Sequence, residues 1–171
     1  MKPQDVVVAL KLAVDPRPWT YPILAQWVGL SLSEAHASVR RGIAAGLLSR
    51  ETLRPIRRNL VEFLVHGIAH VFIPKRGEIT RGIRTAHAAP PLRDLIAAEE
   101  DLPPVWPHPE GDTRGISVEP LYPSAVKASL SDPALYECLA LVDSIRGGRA
   151  RERQAAADLL EKRLLQEPSA P

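Results

Sequence analysis

The stretch from Trp19 to Leu48, WTYPILAQWVGLSLSEAHASVRRGIAAGLL, decides the fold predicted for the amino-terminal part of this chain. Thr20 stands in front of an apolar run with helical spacing, so a capped helix is predicted from Tyr21 to Val28. Gly29 follows, where a residue in the left-handed conformation lets the chain turn sharply. Residues 31–34, Ser-Leu-Ser-Glu, then match a capping box and open a second helix.

The second predicted helix, at about 31–45, has an apolar face and a polar face. Ala35, Val39 and Ile43 recur every four residues and are predicted to face the core. Two helices joined by a glycine turn in this order are typical of a helix-turn-helix, which places its second helix in the major groove of DNA. The side chains predicted to contact DNA from this helix are Ser33, Glu34, His36, Ala37, Arg40 and Arg41.

Arg40 and Arg41 are the basic residues on the polar face of this helix. An arginine there pairs with a guanine edge, which discriminates sequence, or with a phosphate, which only positions the protein. The sequence leaves both roles open. Replacing both arginines with alanine is expected to abolish DNA binding and to leave the thermal unfolding of the protein nearly unchanged.

Two further basic segments lie downstream. Arg57 and Arg58 begin an amphipathic helix and are predicted to bind phosphate together with its first amides. Residues 69–86 contain two β-like runs around the basic tip PKRGEI and are predicted to form a hairpin. A hairpin downstream of a helix-turn-helix is expected to act as a wing, which lies along the DNA backbone or in the minor groove. The basic residues assigned to this hairpin are Lys75, Arg76, Arg81 and Arg84.

Residues 20–48 resemble the winged helix-turn-helix regulators of bacteria, in the broad neighbourhood of the MarR and ArsR families. The resemblance rests on the spacing of LAQWVGLSLSEAHASVRRGIAAGLL, with alanine at 25, glycine at 29 and Gly-Leu-Leu at the exit. It implies a winged helix-turn-helix fold, double-stranded DNA as the partner, a homodimer and repression of nearby genes. The chain departs from the family pattern after Leu48, because an extra helix is predicted ahead of the hairpin.

Charge is distributed unevenly along the chain. Residues 1–93 contain 14 Lys and Arg against 6 Asp and Glu, a balance of +8, whereas residues 94–171 contain 8 against 14, a balance of −6. A basic half beside an acidic half indicates a polyanion-binding module joined to a segment with another role.

The predicted fold class is mostly α with a small β-hairpin. A winged helix-turn-helix domain is expected at 1–90. Residues 91–131 are expected to form a proline-rich strap or linker, with Trp106, Leu121 and Tyr122 as anchors onto the folded part. Residues 132–167 form a helical segment for dimerisation or partner contact, which opens with Asp132 as its cap and Pro133 in its first turn.

Several classes of function find little support in the sequence. A phosphate-cradling glycine loop and a nucleophile elbow are both absent, so the chain is expected to be neither an enzyme nor dependent on a cofactor. His66 and His70 have helical metal-pair spacing, but packed or surface histidines are the preferred interpretation. The single cysteine, Cys138, cannot form an internal disulfide, and no apolar run reaches the ~20 residues of a membrane helix. A cytoplasmic protein with no bound metal is expected.

An alternative function remains open at this point. The chain could be a non-enzymatic interaction protein, antitoxin-like or an adaptor, that holds the product of a neighbouring gene through its acidic carboxy-terminal half. In that case the helix-turn-helix pattern would be a plain three-helix core.

Overall fold

The computed structural model describes residues 1–96 and 102–166. They form a mixed α/β structure that is mostly helical and contains one small three-stranded sheet. In chain order the helices are α1 (Pro3–Val14), α2 (Tyr21–Val28), α3 (Leu32–Ala44), α4 (Arg57–Glu62), α5 (Ile68–Val71), α6 (Pro123–Leu130), α7 (Pro133–Gly147) and α8 (Ala150–Leu165). The strands are β1 (Arg76–Arg84), β2 (Pro104–Pro107) and β3 (Thr113–Val118).

Helix α1 is the buried support of the amino-terminal helices. Its sequence, PQDVVVALKLAV, is apolar on nearly every side, and every residue from Gln4 to Ala13 is buried. Helices α2 and α3 both pack on it. In the described ranges, no helix has the length and apolar character that crossing a membrane requires.

The predicted hairpin at 69–86 is wrong. Residues 63–67 form a π-helical turn that joins α4 to α5, so the chain stays helical to Val71. The following residues, from Arg76 to Arg84, form one long strand whose partners lie elsewhere in the chain. The physical reason is that the apolar run before the basic tip completes the amphipathic helix, where Ile68 is fully buried, and therefore cannot pair with β1.

The partners of β1 come from the proline-rich segment. β1 runs antiparallel to β2 and to β3, and β2 and β3 pair parallel to each other, so the three strands form a closed sheet. Glycine permits this close approach, because a Cβ at Gly82 would collide with the backbone of Trp106 in β2, and a Cβ at Gly115 with that of Pro103 just before β2. The predicted strap therefore contains regular structure, including helix α6, although each element is short.

One hydrophobic core joins the two halves of the chain. It contains residues of α1, α2, α4, α6, α7 and α8 in a single cluster. Asp132 caps α7 by accepting a hydrogen bond from the Leu135 amide at 3.0 Å, as predicted from the Asp-Pro pair. Helix α7 packs against both α1 and α8. The carboxy-terminal helices thus complete the core that supports α1.

Asp143 of α7 connects the sheet to the helices. Its fully buried carboxylate accepts hydrogen bonds from the Trp106 indole at 2.6 Å, from the Thr85 hydroxyl at 2.8 Å and from the Arg146 guanidinium at 2.7 Å. Burial raises the pKa of Asp143 above its ordinary value, and Arg146 opposes that shift. Trp106 is 2% exposed, which confirms it as an anchor of the proline-rich segment.

Candidate nucleic-acid interface

Helix α3 presents a narrow polar face to solvent. Gly29 ends α2 in the left-handed conformation, with φ of 65°, and Ser31 caps α3 by accepting a hydrogen bond from the Glu34 amide at 3.2 Å. Both features agree with the sequence prediction. Ala35 and Val39 are fully buried, so the opposite face is exposed. That exposed face carries Leu32, Ser33, His36, Arg40 and Ala44, with Ala37 half-buried at its side.

Arg41 has a different environment from Arg40. Its Nη2 donates hydrogen bonds to the Asp5 carboxylate at 2.7 Å and to Glu34 at 2.5 Å. The Asp5 side chain is 0% exposed, so Arg41 neutralises a buried charge on α1. Arg40 is exposed and has no hydrogen bond or ion pair among the described residues. The structure thus separates a free arginine from one that locks α3 onto α1.

Glu34 also serves α3 rather than solvent. Its Oε1 accepts hydrogen bonds from the Gln4 amide at 2.8 Å and from Arg41, so the reciprocal half of the predicted capping box does not form. The Arg41 guanidinium and then the Gln4 amide lower the pKa of Glu34. Glu34 and Arg41 therefore fix the position of the helix and are not available to contact bases.

Aromatic side chains border the exposed face at the start of α2. The Tyr21 ring stacks on the His36 imidazole with 3.5 Å between ring centroids, and Trp19 packs edge-on against Tyr21 at 5.4 Å. Because the stack holds one face of His36, only its edge and its other face are left for hydrogen bonding or contact. No local sequence pattern predicts this pair, because the two residues lie on different helices.

A short hairpin follows α3 directly, which sequence reasoning missed. Leu48 and Pro55 form an antiparallel bridge, the Ser49 amide donates to the Arg54 carbonyl at 2.8 Å, and the Ile56 amide donates to the Leu47 carbonyl at 2.9 Å. We call residues 47–56 the α3 hairpin. Only one residue pair forms a bridge, so no alternating strand pattern marks it in the sequence.

The tip of the α3 hairpin is polar and carries one free arginine. The Ser49 hydroxyl accepts hydrogen bonds from the amides of Glu51 and Thr52, at 3.2 and 3.3 Å, and Leu53 holds a positive φ of 54°. Such backbone strain is uncommon in a leucine and fixes the turn. Arg50 is exposed at this tip and has no partner among the described residues. The sequence pattern that could have predicted this hairpin is Gly46-Leu47-Leu48 followed by Arg50 and Pro55.

The arginines after the tip bind main-chain carbonyls. Arg54 donates to the carbonyls of Leu12, Asp15, Pro16 and Arg17 at the end of α1, the shortest at 2.6 Å. Arg57 donates to the Leu164 carbonyl in α8 at 2.5 Å and to Ala13 at 3.1 Å. Guanidinium groups suit these unpaired helix-end carbonyls. The predicted phosphate role of Arg57 is therefore replaced by a structural one, whereas Arg58 is exposed.

The four basic residues predicted for a wing lie on or beside β1, away from α3. Arg76 donates to the Gly147 carbonyl at 3.1 Å, and Lys75 lies 3.9 Å from Glu119. Arg84 donates to the Thr113 hydroxyl at 3.0 Å. Arg81 is exposed, and its side chain has no partner among the described residues. The structure does not bring these residues together with Arg40.

The histidines do not assemble a metal centre. Within residues 1–96 and 102–166, no group of three or more His, Cys, Asp or Glu side chains is placed to hold a metal ion. His66 lies 3.8 Å from Glu62 on the same helix, and the buried His87 lies 3.5 Å from Glu152. These contacts join helices or helix turns.

Comparison with known proteins identifies no relative, since no family model, no curated protein and no solved structure matches this chain. The exposed face of α3 and the adjoining α3 hairpin together form the candidate interface.

Proposed function

We propose that this protein is a sequence-specific DNA-binding transcriptional regulator with a winged helix-turn-helix domain, which acts as a homodimeric repressor. The observation that supports this proposal is the order of elements from α1 to the α3 hairpin. A helix with an exposed polar face is held on a buried support, and a hairpin whose polar tip carries one free arginine follows it at once. This is the arrangement of a groove-reading helix with a short wing.

The exposed side chains of α3 suit base recognition. Ser33 and His36 offer hydrogen-bonding groups, and Ala37 offers a methyl group that fits a thymine methyl. Arg40 is long enough to form a bidentate contact with guanine. Because Arg40 has no ion-pair partner among the described residues, a contact with guanine breaks no intramolecular ion pair there.

Arg50 has a separate role at the tip of the α3 hairpin. A cation there reaches the phosphate backbone or the minor groove beside the helix in the major groove. Such a contact adds affinity that depends on salt and hardly on sequence. Arg40 and Arg50 therefore make different contributions that binding measurements can separate.

Repression by a homodimer requires a particular spacing of the two DNA-contacting helices. A two-fold homodimer presents two α3 helices to half-sites about 34–36 Å apart, which is one turn of the duplex. A protein bound across a promoter in this way blocks access to it.

The first test is selection of bound duplexes from a random-sequence pool by the full chain. An inverted repeat with half-sites about one turn apart is the expected product. Failure to enrich any sequence would contradict the proposal, and would favour the interaction-protein alternative if the chain also showed no salt-dependent affinity for duplex DNA.

The second test is fluorescence anisotropy with the selected duplex and a scrambled duplex. Arg40→Ala is expected to lower the discrimination between them by about 1–3 kcal/mol. Arg50→Ala is expected to weaken binding to both duplexes alike and to reduce the salt slope by about 0.9. Arg151→Ala, on the exposed side of α8, is the matched control and should leave both quantities unchanged. Equal binding by all three variants would refute the assigned interface.

A further inference from the structure

We propose that the outer face of the β1–β3 pair is a second phosphate-binding surface, which holds the sugar-phosphate backbone of duplex DNA at a site separate from α3. The inference rests on the proposed function only for its choice of ligand. The surface is defined by two cross-strand pairs, Arg81 with Arg114 and Ile79 with Ile116.

The strand register places the two arginines side by side. Arg81 and Arg114 are direct partners across the antiparallel ladder, so their Cβ atoms are about 4.5–5.5 Å apart and point to the same side of the sheet. Like charges in this position repel each other and destabilise the strand pair. Both arginines are exposed. A ligand that carries negative charge would relieve the repulsion.

The chain does not neutralise this pair itself. Neither guanidinium has a hydrogen bond or ion pair in the part of the chain that the structure describes, and Asp112, near Arg114, instead accepts the Thr113 hydroxyl at 2.8 Å. Glu78, near Arg81, is exposed and makes no described ion pair. Several other arginines are instead bound to carboxylates or carbonyls: Arg17, Arg41, Arg54, Arg57, Arg146 and Arg163.

The geometry favours phosphate over an acidic protein strand. The two arginines lie on a face of the β1–β3 ladder and not at its edge, so a ligand at this surface is recognised by side chains and not by main-chain pairing. Recognition must therefore use side chains on a face that carries two adjacent guanidinium groups. Their planar donor sets match the oxygens of phosphate groups, and a duplex supplies such groups in a regular row. The Ile79–Ile116 pair gives the arginine stems an apolar surface to lie on.

The location separates this surface from α3. Helix α3 packs on α1 and α2, whereas the sheet is joined to the helical core through Trp106, Thr85 and Asp143 of α7. The two surfaces thus belong to separate elements of the fold, so each can bind duplex DNA without the other.

The experiment is arginine footprinting of the full chain with phenylglyoxal, read by mass spectrometry, in the presence and absence of a random-sequence duplex. Protection of Arg81 and Arg114 by the duplex is expected in the wild type and also in Arg40→Ala, whose α3 contact is removed. Anisotropy titrations of Arg81→Gln/Arg114→Gln should show a salt slope smaller by about 1.8, the loss of two phosphate contacts. Arg151→Gln/Arg153→Gln on α8 is the matched control. Circular dichroism of each variant establishes that it is folded.

The outcomes separate this inference from the proposed function. Equal modification of Arg81 and Arg114 with and without DNA would overturn it, whether or not Arg40 and Arg50 are protected. Protection by poly-L-glutamate but not by the duplex would also overturn it and would indicate an acidic protein partner. Protection of the sheet arginines alone would support this inference while contradicting the role of α3.

Discussion

Replacing Arg41 with alanine tests whether the Asp5–Arg41 contact holds α3 in place. Arg41 donates three hydrogen bonds to Asp5, between 2.7 and 3.1 Å, and the Asp5 carboxylate has no exposed surface. Removing one partner of a buried ion pair costs about 3–5 kcal/mol, because the remaining charge stays buried. The Lys2 amide still donates to Asp5 at 2.7 Å, and Arg41 itself is 27% exposed. We therefore expect the lower end, about 3 kcal/mol.

The assay is thermal unfolding followed by circular dichroism. For a chain of this size, about 3 kcal/mol lowers Tm by about 6–12 °C. Arg40→Ala is the matched control, one residue away on the same helix, and should change the free energy of unfolding by no more than about 0.5 kcal/mol. The double variant Asp5→Leu/Arg41→Met removes both charges and should recover most of the loss. The assay resolves Tm differences of about 2 °C. A Tm for Arg41→Ala within about 2 °C of that of Arg40→Ala would show that the Asp5–Arg41 contact does not stabilise the fold.

Two further predictions concern the buried and the acid-sensitive contacts. Trp106→Phe removes the indole hydrogen bond to Asp143 and is expected to lower the free energy of unfolding in urea by about 2 kcal/mol. Trp27→Phe, whose indole donates no described hydrogen bond, is the control. An equal loss of unfolding free energy in both variants would show that the Asp143 contact is unimportant. Because Arg41 lowers the pKa of Glu34 below its ordinary 4.5, the stabilisation by this pair is complete above about pH 4.5 and is lost as the pH falls through the lowered value. The difference in unfolding free energy between wild type and Glu34→Gln should thus shrink as the pH of the unfolding measurement is lowered from about 6 to about 3. Glu51→Gln, at the hairpin tip, is the control and should show no such trend. A difference for Glu34→Gln that stays constant with pH would exclude the ion pair as the source of that difference.

Local signals in the sequence predicted the features that depend on neighbouring residues. Gly29 turns the chain because its backbone alone tolerates that conformation, and Ser31 and Asp132 cap helices through atoms three residues away. Each of these contacts is contained in a few consecutive residues, so a local pattern is sufficient to predict it.

The errors concern contacts between distant parts of the chain. β1 pairs with strands more than 20 residues downstream, and no local pattern indicates which run becomes its partner. Arg40 and Arg41 look equivalent in the sequence, because the partner that distinguishes them, Asp5, is 36 residues away. That buried ion pair predicts a loss of stability when both arginines are replaced, contrary to the expectation from sequence, so Arg40 alone is the suitable probe of DNA contact.

The Arg54 bonds to the end of α1 also bear on the entropy of binding. Four carbonyl contacts hold the base of the α3 hairpin against α1 in the free protein. A flexible loop would have to lose its backbone freedom when DNA binds, at a cost of about 1–2 kcal/mol for each residue that becomes ordered. In this protein the hairpin is already ordered, so only the side chain of Arg50 loses freedom on contact. Preorganisation of this kind strengthens binding without adding any contact to the DNA.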